Sequence, residues 1–304
     1  MTTSQTPALT DVVTAAGGVR VAQRGAGGEA DLWVGDVAAV VVPTSTHYEA
    51  FYPSGALWRR MWTLPDRLVL EYVGQAVVEV RDADGCIVFD RALPADLEQH
   101  LLFDHVLPMA LARRGDIVLH GGVLVHGDRA AVLVGKSGAG KSTLTAYAGS
   151  RGWRIGGDDC AVFRPGDPVM VEATYPTVRL TPDAARLLGM DPDVGSAVAG
   201  NRRLSEGDGR RFRAEPTALG LVAHIEPVPA GEPAAFTRLR GAEAHTALMT
   251  ATIHADMTGG SMFLDVLTGL IRVVEAAPVG RLAVPRGTAG LAEAERLLRE
   301  VLES

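Results

Sequence analysis

AAVLVGKSGAGKSTLTAYAGSR, residues 130–151, is the stretch whose reading decides the rest of the chain. Its first five residues are apolar and predict a buried strand. Gly135–Ser142, GKSGAGKS, then fits the pattern GxxxxGK[ST], and KSTLTAYAGSR predicts a helix. Strand, glycine-rich loop and helix in that order make a cradle for phosphate. Backbone N–H groups of Gly135, Lys136, Ser137, Gly138, Ala139 and Gly140 would point at the anion, with Lys141, Ser142 and Thr143 opening the helix behind them. Lys141 is expected to reach the terminal phosphates and the Ser142 hydroxyl to ligate Mg²⁺; the positive end of the helix adds to the attraction. A lysine set at a buried glycine-rich turn needs an anion. The expected ligand is a nucleotide phosphate with Mg²⁺.

Two neighbours are placed by counting. A helix from Lys141 to about Arg151 climbs ~16 Å. Gly152 is a natural stop, and WRIGG descends ~16 Å as a strand. The chain is thereby predicted to return to the loop at Asp158-Asp159, where a metal and a terminal phosphate would lie if the two strands are adjacent. Upstream, IVLHGGVLV and AAVLVG flank Gly127-Asp128, a two-residue hairpin turn. With residue 126 facing 129, antiparallel register sets His120 opposite Gly135. The alternatives are ordinary: solvated turn acids at 158 and 159, and a hydrogen-bonded core histidine at 120.

The remaining composition narrows the class. The chain has 304 residues, 47% apolar and 21% charged, with a formal net charge of −7. These values suit a globular protein and argue against a nucleic-acid-binding surface. Two cysteines, Cys86 and Cys160, lack zinc-site spacing and are expected as reduced thiols. The opening residues do not read as a secretion signal and no apolar run suffices to cross a bilayer, so a cytoplasmic protein without membrane contact is expected.

A soft boundary is expected near Gly115, dividing a β-rich lobe (1–115) from the loop-bearing core (116–304). In the first part, alternating segments such as DLWVGDVAAVVV and RLVLEYVGQAVVEV predict strands, Asp84-Gly85 a turn, and Pro94 the start of a helix that Pro108 should kink or end. His100 and His105, five apart, are not expected to share a helix face, and Trp58 and Trp62 are expected in the core. In the second part, CAVF, TVRL and LVAHI predict strands; PDAARLLG, HTALMTATI, MFLDVLTGLIRVV and LAEAERLLREVLE predict helices. Residues 200–216, with five arginines, read as an exposed loop.

His120-Gly121, GKSGAGKS, a short helix ending in Arg151-Gly152, and Asp158-Asp159 together resemble the nucleotide site of the HPr kinase/phosphorylase family. Its bacterial homologues include kinases that modify precursor peptides in lasso-peptide pathways. The likeness runs from about Ile117 to the C-terminus and is specific between His120 and Phe163. It implies a mixed α/β fold: a P-loop kinase core of HPr kinase type behind a β-rich lobe. It also implies that Asp158 accepts the proton of an attacking hydroxyl, that Asp159 stands with Ser142 near the metal, and that His120 orients or charge-balances the pair. Lys141 would bind the β- and γ-phosphates, and Arg210 or Arg211 would meet the transferred phosphate. Two departures stand out: Thr143 replaces the acid usual in the bifunctional enzymes, and no EIRG-type segment follows Asp159, VRLTP around Arg179 being nearest. HPr is therefore not the expected acceptor and phosphorolysis is not the expected reaction; Glu172 is a candidate for the missing acidic ligand.

The resulting expectation is an ATP-dependent kinase acting on a hydroxyl, most simply a serine of a peptide or protein. The alternatives are a kinase of a free amino acid or sugar, a P-loop ATPase of the mechanical or transport kind, whose transporter members carry an LSGGQ segment absent here, and a nucleotide-gated binding protein. Oligomeric state is left open by the sequence.

Overall fold

A strand needs alternate residues to face a core, and the N-terminal third supplies them. The computed structural model describes residues 14–16, 19–23, 32–44, 48–52, 54–164, 166–175, 177–193, 195–198, 201–204, 211–212, 215–253 and 261–304. The chain folds as two compact units, Met1–Ala110 and Leu111–Ser304.

Among the described residues the first unit holds an eight-stranded sheet. Its strands are β1 (Thr14–Ala16), β2 (Val19–Gln23), β3 (Leu32–Val34), β4 (Tyr48–Phe51), β5 (Leu57–Thr63), β6 (Arg67–Tyr72), β7 (Ala76–Arg81) and β8 (Cys86–Phe89), in the order β1-β2-β3-β8-β7-β6-β5-β4. On β7 the pattern is strict: Ala76, Val78 and Val80 are buried and the residues between them are half-buried. Trp62 is buried, as expected, while Trp58 is half-buried and packs its ring near Tyr52, Tyr72 and His105.

The helix after Pro94 departs from expectation in an informative way. It runs as α1 (Ala95–Leu101), continues through a widened π-type turn at Leu102–Val106, and resumes as α2 (Leu107–Arg113). Pro108 does not end it. A proline removes an N–H and crowds the carbonyl four residues back, and the wide turn just before Pro108 relieves both. The same turn changes which side chains share a face, because residues five apart come into line. His100 and His105, expected on different faces, lie with ring centroids 5.0 Å apart, and His100 Nδ1 meets Asp104 Oδ2 at 2.6 Å.

The second unit has alternating strands and helices, so its sheet is covered on both faces. Its strands are β9 (Ile117–Leu119), β10 (Gly121–His126), β11 (Arg129–Val134), β12 (Arg154–Gly157), β13 (Ala161–Arg164), β14 (Met170–Glu172), β15 (Val178–Leu180), β16 (Ser196–Val198), β17 (Asn201–Leu204), β18 (Thr217–Val228), β19 (Ala235–Arg238) and β20 (Val279–Pro285). The helices are α3 (Lys141–Gly149), α4 (Pro182–Leu187), α5 (Gly241–Met249), α6 (Ser261–Ala276) and α7 (Thr288–Glu303). The main sheet has the order β12-β10-β11-β18-β14-β13-β9, with β20 beside β18 and β19 beside β20; β15, β17 and β16 form a small separate sheet. The chain is thus mixed α/β. No described helix is long and apolar enough to cross a membrane.

Alternation along β11 sorts the core into two layers. Ala130, Val132 and Val134 pack with Ala244 and Leu248 of α5 and Leu270 and Val273 of α6. Ala131 and Leu133 pack with Leu144 of α3 and with Leu291, Leu298 and Leu302 of α7. The amphipathic pattern of α7 buries Leu291, Leu298 and Leu302. Its Glu295 accepts from Trp153 Nε1 at 2.6 Å and pairs with Arg299.

Three local expectations are corrected. IVLHGGVLV is two strands, broken at His120: β9 pairs with β13 while β10 pairs with β11. The helix expected over HTALMTATI starts four residues earlier, at Gly241, and ends at Met249. Part of the arginine-rich segment expected as a loop is strand, since β17 pairs with both β15 and β16.

Glycine is required where β12 meets its neighbours. A Cβ at Gly157 would lie 1.8 Å from Thr174 Oγ1, and Thr174 is buried and donates to the Cys160 carbonyl at 3.1 Å. Gly157→Ala is expected to cost about 1–3 kcal/mol, the usual penalty for overpacking. A lowered denaturation midpoint checks this, and an unchanged midpoint contradicts the close approach.

Candidate active site

β11 delivers the chain to the glycine-rich loop at its end, and α3 leaves it. The turn requires left-handed backbone at three points: Gly135 has φ 143°, Gly138 78° and Gly140 99°. A side chain at any of them would be strained. Gly140 caps α3 without a side-chain hydrogen bond, and the first turn carries no acid. The opening N–H groups of a helix have no carbonyl partner within it, so this end is positive.

Lys141, first residue of α3, is only 5% exposed. Its Nζ donates to the carbonyls of Gly135 at 2.8 Å and Lys136 at 3.2 Å, which folds the side chain back over the loop. Burial lowers its pKa, while Asp159 and Asp158 oppose that shift. Lys136, Ser137 and Gly138 are exposed, Ala139 is buried, and Ser142 and Thr143 are half-buried.

The two acids arrive from β12. This strand pairs with β10, not with β11 as the expected side-by-side arrangement would have it, because the hairpin places β10 on that edge of β11. Even so, Ser142 Oγ donates to Asp158 Oδ1 at 3.1 Å. The other oxygen of Asp158 accepts from the backbone N–H of Arg179 at 3.0 Å. Removal from water, with Asp159 alongside, pushes the Asp158 pKa up to about 7. Gly122 makes the approach possible: a Cβ there would stand 2.6 Å from Thr145 Oγ1 and 3.4 Å from Asp158 Oδ1.

Asp159 is the one non-glycine residue with positive φ, 64°, among those described. Aspartate tolerates this better than most residues. Arg179 Nη2 meets Asp159 Oδ2 at 2.9 Å. His120 Nδ1 lies 3.1 Å from the Asp159 carbonyl and 4.0 Å from Asp159 Oδ1. Burial and the charge of Lys141 lower the His120 pKa. The ring is therefore neutral near pH 7, and its Nδ1 carries the proton donated to the carbonyl, leaving Nε2 as an acceptor. The His120 N–H donates to Ala251 O at 2.7 Å, which fixes the break between β9 and β10.

Lys141, Ser142, Asp158, Asp159 and His120 are thus brought together, with the Ser142 hydroxyl on Asp158, not on Asp159. Arg179 completes the set without having been expected as a site residue. Its place between Val178 and Leu180, both buried, marks it only as a residue on the opposite face of a strand. Glu172 does not join the acids; it is 4% exposed and pairs with Arg164 at 2.8 Å. Arg210 lies outside the described residues. Arg211 is exposed, and its carbonyl accepts from the Ile155 N–H at 2.9 Å.

No group of three or more His, Cys, Asp or Glu side chains able to hold a metal occurs among the described residues. The donor set at Ser142, Asp158 and Asp159 is a hydroxyl and two carboxylates. That fits Mg²⁺, which takes one or two protein carboxylates and completes its shell with water and substrate phosphate oxygens.

No protein-family model matches the chain, and no curated protein matches it in sequence. Among solved structures, the chain is similar to the Hpr(Ser) kinase/phosphatase from Coxiella burnetii, with 14% identity and a TM-score of 0.32, over 60% of this chain and 94% of that one.

Proposed function

We propose that the chain is an ATP-dependent phosphotransferase whose acceptor is a hydroxyl, in the simplest case a serine of a peptide or protein. The observation that carries this reading is the Ser142–Asp158 contact of 3.1 Å, which sets an acid pair against the opening of α3.

In this reading the loop N–H groups and Lys141 hold the triphosphate, and their charge matches what develops on the transferred group. Ser142 and Asp159 would hold Mg²⁺, which would supply charge neutralisation for the phosphates. Asp158 receives the proton of the incoming hydroxyl as its oxygen bonds to phosphorus and the bond to ADP breaks. A base poised near the working pH suits that transfer. Arg179 and His120 hold Asp159 from two sides, the guanidinium on its carboxylate and the ring Nδ1–H on its carbonyl.

The direct test is incubation with Mg-ATP and peptides or metabolites bearing hydroxyls, followed by mass spectrometry for an added phosphoryl group. Phosphate release that no acceptor alters would count for an ATPase instead. Arg179 gives a narrower test. Arg179→Ala keeps the backbone N–H that serves Asp158 but frees Asp159. Turnover is expected to fall about 10²-fold through misplacement, with nucleotide affinity little changed. Steady-state kinetics alongside nucleotide titration check it, and lost affinity with normal turnover would contradict the assignment.

A further inference from the structure

A cavity of about 610 Å³ opens beside the loop, a size usual for a small-molecule site. Among the described residues four ionisable side chains line it: Lys136, His224 and Arg281 from the sheet and the loop that leaves it, and Glu243 from α5. Resting on the phosphotransfer reading above, though not on its simplest acceptor, we infer that this cavity holds the acceptor. The acceptor is a free hydroxyl-bearing amino acid, its carboxylate on Arg281 and its ammonium on Glu243.

The sheet accounts for the cationic side. In the parallel strands β11, β18 and β20, Val134 pairs with His224 and His224 with Arg281, so these two stand abreast where β11 gives way to the loop. Ligands of open parallel sheets bind outside the carboxyl ends of the strands. Val222 and Val279 belong to the layer that packs on α5 and α6, and alternation turns His224 and Arg281 to that same layer. α5 supplies the other wall. The Leu239 N–H donates to Val279 O at 2.8 Å, which starts the helix beside β20 and brings Glu243, in its first turn, to the cavity. The hydroxyls of Thr246 and Thr250 are turned back to Ala242 O at 2.8 Å and Ala247 O at 3.0 Å, which leaves Glu243 as the polar contact from α5.

The signs of these charges select the occupant. Arg281 pairs with Glu226 at 3.3 Å, both side chains being 53% exposed. Such a surface pair is weak, so the guanidinium can exchange it for a ligand carboxylate held by two parallel hydrogen bonds. Burial, with Arg281 and Lys141 nearby, lowers the His224 pKa. The neutral ring brings one N–H to the same carboxylate. Lys136, exposed at the mouth, screens that carboxylate from the triphosphate. A simple anion would be repelled by Glu243, and a simple cation by Arg281 and Lys136. A sugar would leave the charges unused, and a residue inside a peptide has amides in place of both. A free amino acid carries the two opposite charges on one carbon.

Lys141 gives the orientation. Its Nζ sits on the carbonyls of Gly135 and Lys136, and the lysine of such a loop reaches the outer phosphates. The cavity therefore begins at the terminal phosphate, and its wall at Ala251 holds the N–H of His120, beside Asp159. An amino acid held by both charges has its hydroxyl left to attack. The hydroxyl oxygen bonds to the γ-phosphorus, the bond from that phosphorus to ADP breaks with its electron pair leaving on ADP, and the hydroxyl proton goes to Asp158.

The test uses an equimolar mixture of serine, threonine, homoserine and tyrosine, their N-acetyl and carboxamide forms, pentapeptides with central serine, and a fluorescent ATP analogue. Transfer is read by mass spectrometry. A thermal melt accompanies each variant, because Glu243 also suits the positive end of α5. Wild type is expected to phosphorylate a free amino acid of the mixture, and to lose more than about tenfold in kcat/KM when either of its charges is blocked. Arg281→Gln should lose as much on the free amino acid and nothing further on its carboxamide. Glu243→Gln should lose as much on the free amino acid and nothing further on its N-acetyl form. Analogue affinity should stay within about twofold in both variants. Faster transfer to the pentapeptides than to any free amino acid overturns the inference, as do equal losses on blocked and free forms. Lost analogue affinity overturns it by making the cavity a nucleoside site, and nucleotide binding with transfer to none of the free amino acids overturns it too. A wild type that binds no nucleotide at all would instead overturn the proposed function beneath it.

Discussion

Asp158→Asn is expected to lower turnover about 10²–10⁴-fold, the range supplied by a positioned general base, while nucleotide affinity changes little. The substitution keeps the size of the side chain but cannot take a proton. The same variant has an opposite effect on stability. In the folded protein the Asp158 pKa rises from 3.8 to about 7, so folding disfavours the ionised form. The sign follows from linkage: this group costs nothing below pH ~4, costs progressively more from there to about pH 7, and costs a constant amount above. The full shift is worth at most about 4 kcal/mol. The value of about 7 already contains the opposing pull of the contacts to Ser142 Oγ and the Arg179 N–H. With metal chelated, Asp158→Asn is therefore expected to be more stable than wild type at pH 8, by up to about 4 kcal/mol, and little different at pH 4. Thermal melts at the two pH values check this. A variant that keeps near-normal turnover, or is destabilised at pH 8, contradicts the assignment.

Lys141→Met is the second large effect. Methionine fills the same channel over the loop but removes the ammonium. Charge-assisted hydrogen bonds are worth about 1.5–3 kcal/mol, so ATP affinity is expected to fall roughly 10–100-fold. Loss of a donor aimed at the developing charge should take a further ~10² from turnover. The folded state should tolerate the change, because Lys141 is desolvated and its carbonyl partners at Gly135 and Lys136 lie on a loop beside solvent. Equilibrium titration with a nucleotide analogue and a thermal melt separate the two effects. Full affinity in a folded Lys141→Met would mean that the buried ammonium serves the loop and not an anion.

How much of this could be read in advance depended on the range of the forces involved. The loop and α3 are local: glycines at left-handed positions, a run of apolar residues before them and helix formers after them lie within twenty-two residues. The β10–β11 hairpin is similarly short-range, and the observed pairings His126↔Arg129 and Gly121↔Val134 follow from its two-residue turn. The counting that brings Asp158 back to Ser142 uses just the rise of a helix and of a strand.

Other features needed the rest of the molecule. The break at His120 exists because β9 joins β13 and the Ala251 carbonyl captures the His120 N–H. Neither partner is near in sequence. The facing of His100 and His105 depends on a wide turn before Pro108, which no periodicity of 3.6 would indicate. Glu172 looked available until Arg164, its neighbour across β13 and β14, claimed it. Arg179 looked like a strand residue and stands against both acids, through its backbone to one and its guanidinium to the other.

By itself the amino-acid sequence determined the glycine-rich loop between strand and helix, the hairpin register, the amphipathic α7 and the mixed α/β class, because each is decided by contacts among near neighbours. The tertiary structure alone decided which acid faces Ser142, that Arg179 braces the pair, that β10 stands between β11 and β12, and that a groove along α5 opens at Gly135. Those are matters of which distant segments become adjacent. They are settled by how two layers of side chains pack on a twisted sheet, and no local pattern of residues carries that information.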